Sequence, residues 1–333
     1  MSTEAAVAVL QVEDLDVATA STALLSQVRF SIDAGERVGL IGESGSGKSL
    51  TALAIMGLLP DGVHAQGQVR MDGQQQNLLE QSARQWAALR GDEMTMVFQE
   101  PMTALNPTMR VGAQVAEVIR LHRSGVSRGE ALQRAGDVLD QVGLKAGEVS
   151  RAYPHQLSGG QRQRVVIAIA LACDPRLLIC DEPSTALDVT VQARVLDLIV
   201  DGVRAREAAL LFITHDLAVV AQVCERVLVM YGGRIVESGT VREVFSNPRH
   251  RYTAGLLAAS DLTSVERGAA LPTIEGTVPP AGRFPSGCVF RSRCSHASSA
   301  CEEQPPWTPR SPGGAGSPAS GFACVHPVGT PDD

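Results

Sequence analysis

Short apolar runs alternate with stretches of helical periodicity between residues 7 and 260. The apolar runs that predict strands are Val7–Val12, Val28–Ile32, Val38–Ile41, Met94–Phe98, Leu177–Cys180, Ala209–Thr214 and Val227–Met230. Helical patterns cover Lys48–Leu59, 111–143, Gln161–Ala172 and Val191–Arg206. Strands that alternate with helices in this way predict an α/β body with a mostly parallel sheet and helices on both of its faces.

The composition changes once along the chain, near residue 260. Proline, glycine and serine become dense after that point, as in Pro279-Pro280, Pro305-Pro306 and Ser311–Ser320. We therefore predict that residues 1–260 form a packed body and that residues 261–333 form a loop-rich extension held by something other than a core.

Charge and hydropathy argue against two broad classes of protein. The net charge is −7, with 36 acidic against 29 basic side chains, whereas a sequence-independent nucleic-acid binder would be basic. The longest apolar run, Val165–Cys173, is far shorter than the roughly 20 residues that cross a bilayer, so we expect that this chain cannot span a membrane by itself, which leaves open that it docks on a protein that does. No signal-peptide pattern precedes the seven cysteines, and we expect a reducing compartment rather than a disulfide framework.

A glycine-rich segment joins the strand at Val38–Ile41 to the helix that follows it. It fits the pattern G-x-x-x-x-G-K-[ST] and consists of Gly42, Glu43, Ser44, Gly45, Ser46, Gly47, Lys48 and Ser49. Such a loop turns its backbone amides around phosphate oxygens, and the helix N-terminus adds a favourable dipole. Lys48 can reach the β- and γ-phosphates, and the Ser49 hydroxyl can ligate Mg²⁺. A plain glycine-serine turn is the weaker alternative, and a dinucleotide-binding loop would need a third glycine where Leu50 stands.

Two acidic residues, Asp181 and Glu182, follow the apolar run Leu177–Cys180. Because successive side chains of a strand point to opposite faces, the two carboxylates can have different roles. Asp181 is placed to hold Mg²⁺ through water, and Glu182 can polarise a water that attacks a phosphate. In isolation such a pair is as often a solvated strand end, but together with the phosphate-binding loop it predicts a nucleoside triphosphatase.

A second candidate phosphate-binding helix start lies at Leu157-Ser158-Gly159-Gly160-Gln161. One chain has no need for two phosphate sites on one nucleotide, so we expect this segment to cover the γ-phosphate of a nucleotide bound to another subunit. The alternative is an ordinary helix start in which Ser158 is the N-cap and Gly159-Gly160 lead into the helix.

With these motifs in this order, the chain resembles the ATP-binding subunits of ABC transporters over residues 7–260. Leu157–Gln161 is similar to the family's signature sequence, Gln99 to its Q-loop glutamine, Ser184–Asp188 to its D-loop and His215 to its switch histidine. The resemblance implies an α/β fold of the P-loop NTPase type. It also implies a mixed-sheet core, an antiparallel β subdomain, an α-helical subdomain within residues 100–160 and a loop-rich, cysteine-containing C-terminal extension.

The same resemblance assigns roles to individual residues. It implies that Glu182 is the general base and that His215 and Gln99 assist it; outside this motif order, a merely hydrogen-bonded His215 would be the better interpretation. The residues implied to contact ATP are Gly42, Glu43, Ser44, Gly45, Ser46, Gly47, Lys48, Ser49, Leu50, Ser158, Gly159, Gly160, Gln161 and Asp188. Those implied to hold Mg²⁺ are Ser49, Gln99 and Asp181. The family commonly stacks adenine on an aromatic residue near positions 15–22, where this chain has none, so we expect another stacking partner or a weakly held base.

Two further segments narrow the resemblance to the subfamily that imports peptides (oligopeptides and dipeptides) and nickel. Gln99–Pro107 is similar to the Q-loop region of these subunits, and Asn247–Thr253 to the segment that closes their ATPase domain. The resemblance implies an ATPase that powers the import of peptides or related small solutes from the cytoplasmic face of the cell membrane. The implied partners are two transmembrane permease subunits, a second ABC ATPase subunit (a heterodimer, with a homodimer as the alternative) and an extracytoplasmic solute-binding protein, but no nucleic acid.

Four cysteines of the extension, Cys288, Cys294, Cys301 and Cys324, lie in a segment too polar and proline-rich to build a core. Their spacings are wider than the C-x2-C pairs of ordinary zinc sites, which favours a [4Fe–4S] cluster. In the peptide-importer subfamily a similar arrangement followed by Cys-x-His, here Cys324-Val325-His326, is implicated in cluster binding. Zinc and free thiols are the alternatives. Nearby are Arg283, Arg291 and Arg293, which either offset the charge of the thiolates or form a solvated basic loop.

Two rival functions remain on sequence grounds. A soluble ABC-type ATPase acting in nucleic-acid maintenance or iron–sulfur assembly would carry a basic stripe or a coiled-coil insert, which neither the net charge nor the length of segment 111–143 fits. A degenerate nucleotide-binding regulator is disfavoured because Glu182 and His215 are both present.

Overall fold

The computed structural model describes residues 8–99, 104–184, 188–260, 272–310 and 320–329. Parts of two predicted motifs lie outside the described residues, namely Glu100–Thr103 of the Q-loop region and Thr185–Leu187 of the D-loop, and so does 311–319. The described residues fall into two compact units. The first contains the described parts of 1–9, 32–36 and 80–211, and the second those of 10–31, 37–79 and 212–333.

The strands and helices of the described residues follow the predicted alternation. The strands are β1 (Ala8–Ala18), β2 (Ala23–Asp33), β3 (Arg37–Ile41), β4 (His64–Met71), β5 (Met94–Val97), β6 (Leu177–Asp181), β7 (Ala209–Ile213), β8 (Arg226–Tyr231), β9 (Arg234–Thr240), β10 (Thr308–Pro309) and β11 (Gly321–Phe322). The helices are α1 (Lys48–Ile55), α2 (Ala83–Leu89), α3 (Val111–His122), α4 (Arg128–Gln141), α5 (Ala146–Val149), α6 (Gly159–Leu171), α7 (Val189–Arg204), α8 (Leu217–Val223), α9 (Val241–Ser246) and α10 (Arg251–Ser260).

The second unit contains a mixed sheet. Strand β3 is parallel to β8, and β8 is antiparallel to β9. The extension lengthens this sheet, because β11 pairs with β9 in the antiparallel sense and β10 pairs with β11. A three-stranded sheet with the order β2-β1-β4, in which β1 and β4 are antiparallel, accompanies it. The mixed-sheet core and the antiparallel β subdomain are therefore confirmed.

Burial follows from the pattern of each strand. In β1 the buried side chains are mostly at alternating positions, as expected of a strand with one face in the core. In contrast β6, β7 and β8 are buried along their whole length, which is typical of strands covered on both faces. Two of them, β6 and β7, end where the sequence places polar candidate residues, namely Asp181 and Glu182 after β6 and His215 after β7.

The first unit contains the parallel pair β5 and β6 together with the predicted helical region. Helices α3 and α4 pack along each other, and both contact α6. The predicted helical segment 111–143 is two helices, because the chain turns at Gly125 with a φ of +80°. No helix among the described residues has both the length and the apolar character needed to cross a bilayer.

Four of the described strands were not predicted: β4, β9 and the two-residue strands β10 and β11. The sequences of β4 and β9 show why these two were missed. β4 is largely exposed, so it lacks the apolar alternation that marks a half-buried strand. β9 has the sequence RIVESGT, whose glutamate argues against burial, yet Glu237 is fully buried. Both strands form because they pair with neighbouring strands, β4 with β1 and β9 with β8, and their own apolar patterns do not indicate a strand.

Candidate functional site

The segment Gly42–Gly47 forms a tight loop between β3 and α1. Gly42 and Gly47 have φ angles of 153° and 109°, in the region that favours glycine. A Cβ atom at Gly42 would lie 2.1 Å from the carbonyl oxygen of Met230, and one at Gly47 would lie 2.4 Å from the side chain of Leu25. The backbone conformation therefore requires glycine at both positions, and at Gly42 the close approach of a carbonyl oxygen requires it as well.

The turn between β8 and β9 supports this loop. The amide of Gly233 donates a hydrogen bond to the carbonyl oxygen of Ser46 at 2.9 Å, and the amide of Ser26 donates to the carbonyl oxygen of Gly233 at the same distance. The loop is thus fixed by a backbone hydrogen bond from this turn, which is itself held by β2 of the same unit.

Lys48 begins α1 and folds back over the loop. Its ammonium donates to the carbonyl oxygen of Gly42 at 2.7 Å and to that of Glu43 at 3.0 Å, and the residue is 7% exposed. Gly47 is the N-cap and provides no side-chain acceptor to the first turn, while Ser49 is exposed there. The first amides of α1 therefore receive no hydrogen bond from a capping side chain, and the Lys48 ammonium lies beside them. A helix start of this kind is suited to bind an anion.

Asp181 and Glu182 differ in their environments. Asp181 is the last residue of β6 and is 8% exposed. Glu182 has a φ of +47°, a left-handed conformation that costs a non-glycine residue of order 1–3 kcal/mol. Nothing in the amino-acid sequence around Glu182 indicates this conformation. Such strain persists only where the surroundings impose it, and it clusters at functional sites.

The start of α6 is an ordinary helix cap in its local structure. The amide of Gln161 donates to the hydroxyl of Ser158 at 3.3 Å, and the amide of Ser158 donates to the side chain of Gln161 at 2.9 Å. A Cβ at Gly160 would lie 2.5 Å from Val191 of α7, so this glycine allows two helices to pack closely. Ser158 and Gly159 are exposed. That they cover another subunit's nucleotide stays a prediction.

The remaining predicted residues lie just after strands or cap a helix. Gln99 is exposed after β5, His215 is exposed after β7, and Asp188 caps α7 by accepting from the amide of Val191 at 3.0 Å. The second unit contains Gly42–Leu50 and His215. The first contains Gln99, Ser158–Gln161, Asp181, Glu182 and Asp188.

The loop where the family commonly has an aromatic residue is closed by its own hydrogen bonds. The amide of Thr19 donates to the carbonyl oxygen of Thr22 at 2.9 Å, and the amide of Thr22 donates to the hydroxyl of Thr19 at 3.1 Å. The extension contacts this loop, because a Cβ at Gly282 would lie 2.7 Å from the Thr22 side chain.

The four cysteines of the extension interact without forming a ready ligand set. Burial and the neighbouring thiols raise the pKa of Cys288 to about 11, and Cys301, Cys324 and Cys294 all contribute to this shift. The amide of Cys288 donates to the carbonyl oxygen of Cys301 at 3.0 Å. Nevertheless, no group of three or more His, Cys, Asp or Glu side chains among the described residues is positioned to hold a metal ion. The predicted cluster and its zinc alternative are therefore not supported by this arrangement.

The arginines near the cysteines have different partners from those expected. Arg291 pairs with Glu302 at 3.6 Å, and Arg293 pairs with Glu43 of the phosphate-binding loop at 2.6 Å. Arg251 is the cation that lowers the pKa of Cys294 and Cys324, although burial raises both overall. Arg293 therefore neither offsets thiolate charge nor belongs to a solvated loop.

The segment Asn247–Thr253 is attached to the core through Glu237, which sequence analysis missed. The Glu237 carboxylate accepts from the amides of Arg249 at 2.7 Å and His250 at 2.9 Å, and it pairs with Arg310 of the extension. Burial raises the pKa of Glu237, whereas burial lowers the pKa of His250 to about 3. An acidic residue directly after Ile235-Val236 is the sequence signal that could have pointed to a buried ion pair.

Comparison with known proteins gives a consistent result. Residues 25–185 match the ABC transporter family, and residues 236–301 match the C-terminal region of oligopeptide/dipeptide transporters. The chain is 50% identical over 288 residues to the "Probable D,D-dipeptide transport ATP-binding protein DdpD" of Escherichia coli (strain K12), covering 85% of this chain and 86% of that protein. It is 45% identical over 324 residues to the "Oligopeptide transport ATP-binding protein OppD" of Salmonella typhimurium, covering 96% of this chain and 94% of that protein.

Solved structures support the same fold. The dimeric ATP-binding cassette MJ0796, in a post-hydrolysis state bound to ADP and Pi, superimposes with a TM-score of 0.61 at 27% identity and covers 70% of this chain and 99% of its own. The protein cbiO1 of Clostridium perfringens, part of the ABC transporter complex cbiONQ, gives a TM-score of 0.62 at 28% identity and covers 72% of this chain and 91% of its own.

Proposed function

This chain belongs to the family of ABC transporter ATP-binding subunits, and on that premise we propose that it hydrolyses ATP to power the import of peptides or related small solutes. The observation that carries the proposal is the loop Gly42–Gly47, in which the backbone conformation requires glycine at 42 and 47 and over which Lys48 is folded. Peptides are the favoured solutes because residues 236–301 match the oligopeptide/dipeptide transporter region.

The proposed chemistry assigns the phosphates to the loop. Lys48 and the amides at the start of α1 hold the β- and γ-phosphates. Ser49, Gln99 and Asp181 would hold Mg²⁺ through hydroxyl, amide and carboxylate oxygens, the hard donors that this ion prefers, and the ion would supply positive charge to the phosphate oxygens. Glu182 accepts the proton of the attacking water, with His215 assisting.

We propose that two ATPase subunits meet face to face, with Ser158–Gln161 and Asp188 of one completing the nucleotide site of the other. A second, related ATPase is the favoured partner and a second copy of this chain the alternative. Two transmembrane permeases then dock at Gln99–Pro107, where the exposed ring of Phe98 offers an apolar contact. An extracytoplasmic solute-binding protein completes the assembly, and the chain lies peripherally on the cytoplasmic face of the membrane.

The iron–sulfur cluster stays a prediction that rests on the spacing of Cys288, Cys294, Cys301 and Cys324. A main-chain hydrogen bond joins Cys288 and Cys301, but no step of the proposed mechanism passes through a cluster. Iron, sulfide and zinc measured on anaerobically purified protein test it. Stoichiometric iron and sulfide that are lost in Cys294→Ser would support the cluster, and stoichiometric zinc would overturn it.

The soluble ABC-type ATPase is not favoured, since the relatives compared above are named as transport ATP-binding proteins. Affinity purification of the chain from detergent-solubilised membranes separates the two functions. The import proposal expects two multi-span subunits and ATP-dependent uptake of a labelled di- or oligopeptide by the reconstituted assembly. Copurification with DNA, or with no membrane subunit, would support the rival.

A further inference from the structure

One arginine of the C-terminal extension reaches the phosphate-binding loop. The Arg293 guanidinium donates to both carboxylate oxygens of Glu43, at 2.6 and 3.2 Å, in the two-pronged geometry with which arginine binds a carboxylate. The side chain of Arg293 is 5% exposed and that of Glu43 is 27% exposed. Because the pair is largely shielded from water, removing either partner leaves the other in a costly environment.

The other donors of Arg293 are also engaged. It donates to the hydroxyl of Tyr231 at 3.3 Å and to the carbonyl oxygens of Glu275 at 2.9 Å and Ile274 at 3.2 Å. The residue ends the short 3₁₀ turn Arg291–Arg293, which itself directly precedes a cysteine. Arg293 is therefore fixed by the end of β8 and by the segment that begins the described part of the extension.

Glu43 is held at three points. Its amide donates to the hydroxyl of Tyr252 at 2.7 Å, its carboxylate accepts from Arg293, and its carbonyl oxygen accepts from the Lys48 ammonium at 3.0 Å. A continuous chain of hydrogen bonds thus leads from the extension to the lysine of the phosphate-binding loop.

Aromatic packing surrounds this chain of hydrogen bonds. The ring of Tyr231 lies 4.6 Å from that of Tyr252 and 5.3 Å from that of Phe290, and the latter two rings are 5.4 Å apart. Phe290 comes from the extension, whereas Tyr231 ends β8 and Tyr252 lies in α10. The tyrosine hydroxyls that contact Glu43 and Arg293 are therefore held by a packed cluster to which the extension contributes.

We propose that Arg293 is a positioning residue of the nucleotide site, which holds Glu43 so that the loop and Lys48 keep the conformation that receives the triphosphate. The C-terminal extension is then part of the ATP-binding machinery. This inference rests on the proposed nucleotide site at Gly42–Ser49. An arginine that merely fastened the extension would affect stability without changing the affinity of the folded protein for nucleotide.

The test compares Arg293→Gln with Arg291→Gln in the full-length chain. Arg291 lies in the same turn and pairs at 3.6 Å with Glu302, whose side chain is 70% exposed, so its loss controls for general damage to the turn. Titration with a fluorescent ATP analogue should show a roughly tenfold higher Kd for Arg293→Gln, the scale of one charge-assisted hydrogen bond. Its KM for ATP should rise with kcat little changed, Arg293→Lys should restore part of the affinity, and Arg291→Gln should bind as the unaltered protein does.

A second approach starts from the loop and leaves the extension untouched. Glu43→Gln should weaken analogue binding as Arg293→Gln does, and the double variant should be no weaker than either one, because both remove the same pair. Thermal unfolding identifies any variant that does not fold. If either Arg293→Gln or Glu43→Gln fails to fold, the nucleotide affinity of the other single variant decides the question. Unchanged Kd in a folded Arg293→Gln protein, additive effects in the double variant, or an equal loss in Arg291→Gln would overturn the inference. If the unaltered chain bound no nucleotide, that result would overturn the proposed nucleotide site at Gly42–Ser49, on which this inference rests.

Discussion

The ammonium of Lys48 lies 2.7 Å from the carbonyl oxygen of Gly42, to which it donates a hydrogen bond. A bound triphosphate offers this cation a stronger, charged acceptor. Lys48→Met should therefore raise the Kd for ATP at least about tenfold and abolish phosphate release. The chain's other lysine provides the control, since Lys145 is 82% exposed and pairs with Glu148 only at the surface. Equal losses in Lys145→Met would contradict the role assigned to Lys48.

Glu182→Gln should stop turnover and leave ATP bound, because the amide cannot accept the proton of the attacking water. We expect phosphate release to fall by about 10²–10⁴-fold, the usual contribution of a general base, while the Kd for ATP changes little. Glu207→Gln is a matched control, because Glu207 is also a left-handed glutamate, with a φ of +51°, and is exposed. A Glu182→Gln protein that hydrolyses ATP at the normal rate would exclude Glu182 as the base.

Arg310→Met should destabilise the protein strongly. Glu237 is completely buried, and without Arg310 its carboxylate loses its cation, which typically costs about 3–5 kcal/mol in the free energy of unfolding. Arg134→Met, which breaks the half-exposed pair with Glu130 in α4, should cost roughly 0.5 kcal/mol or less. Chemical denaturation compares the two variants, and similar losses would show that the Glu237 pair is not a buried one in solution.

His250 should make the fold sensitive to acid. Burial lowers its pKa from 6.5 to about 3, so the unfolded chain binds a proton at this residue that the folded chain refuses. The free energy of unfolding should therefore fall as the pH decreases from 6.5 towards 3, with its full value present above 6.5. In the His250→Gln variant, the free energy of unfolding should depend less on pH between 6.5 and 3 than it does in the unaltered chain. An identical pH dependence in both proteins would mean that His250 titrates normally.

The sequence predicted the features that depend on neighbouring residues. The loop Gly42–Ser49, the buried strands and the helix cap at Ser158 all follow from local patterns, since each is defined within a few positions. Glu182 shows the limit of that approach, because its left-handed backbone is imposed by its surroundings and a glutamate in sequence gives no sign of it.

Contacts between distant positions could not be predicted in the same way. Arg293 and Glu43 are 250 positions apart, and no periodicity relates them. A cysteine-rich segment suggested that its arginines served the thiolates, whereas the folded chain directs Arg293 to the phosphate-binding loop. Glu237 was missed for the same reason, since its cation comes from Arg310 in the extension.

The pairing of β11 with β9 has a practical consequence for anyone who shortens this protein. Removing the chain beyond residue 260 would take away the partner of Glu237 and Ser238 in β9 and leave the main-chain groups of that stretch open to water. An exposed strand edge can pair with strands of other molecules, so a shortened ATPase that ends at residue 260 should aggregate. The extension therefore covers part of the sheet edge, and expression trials should retain it.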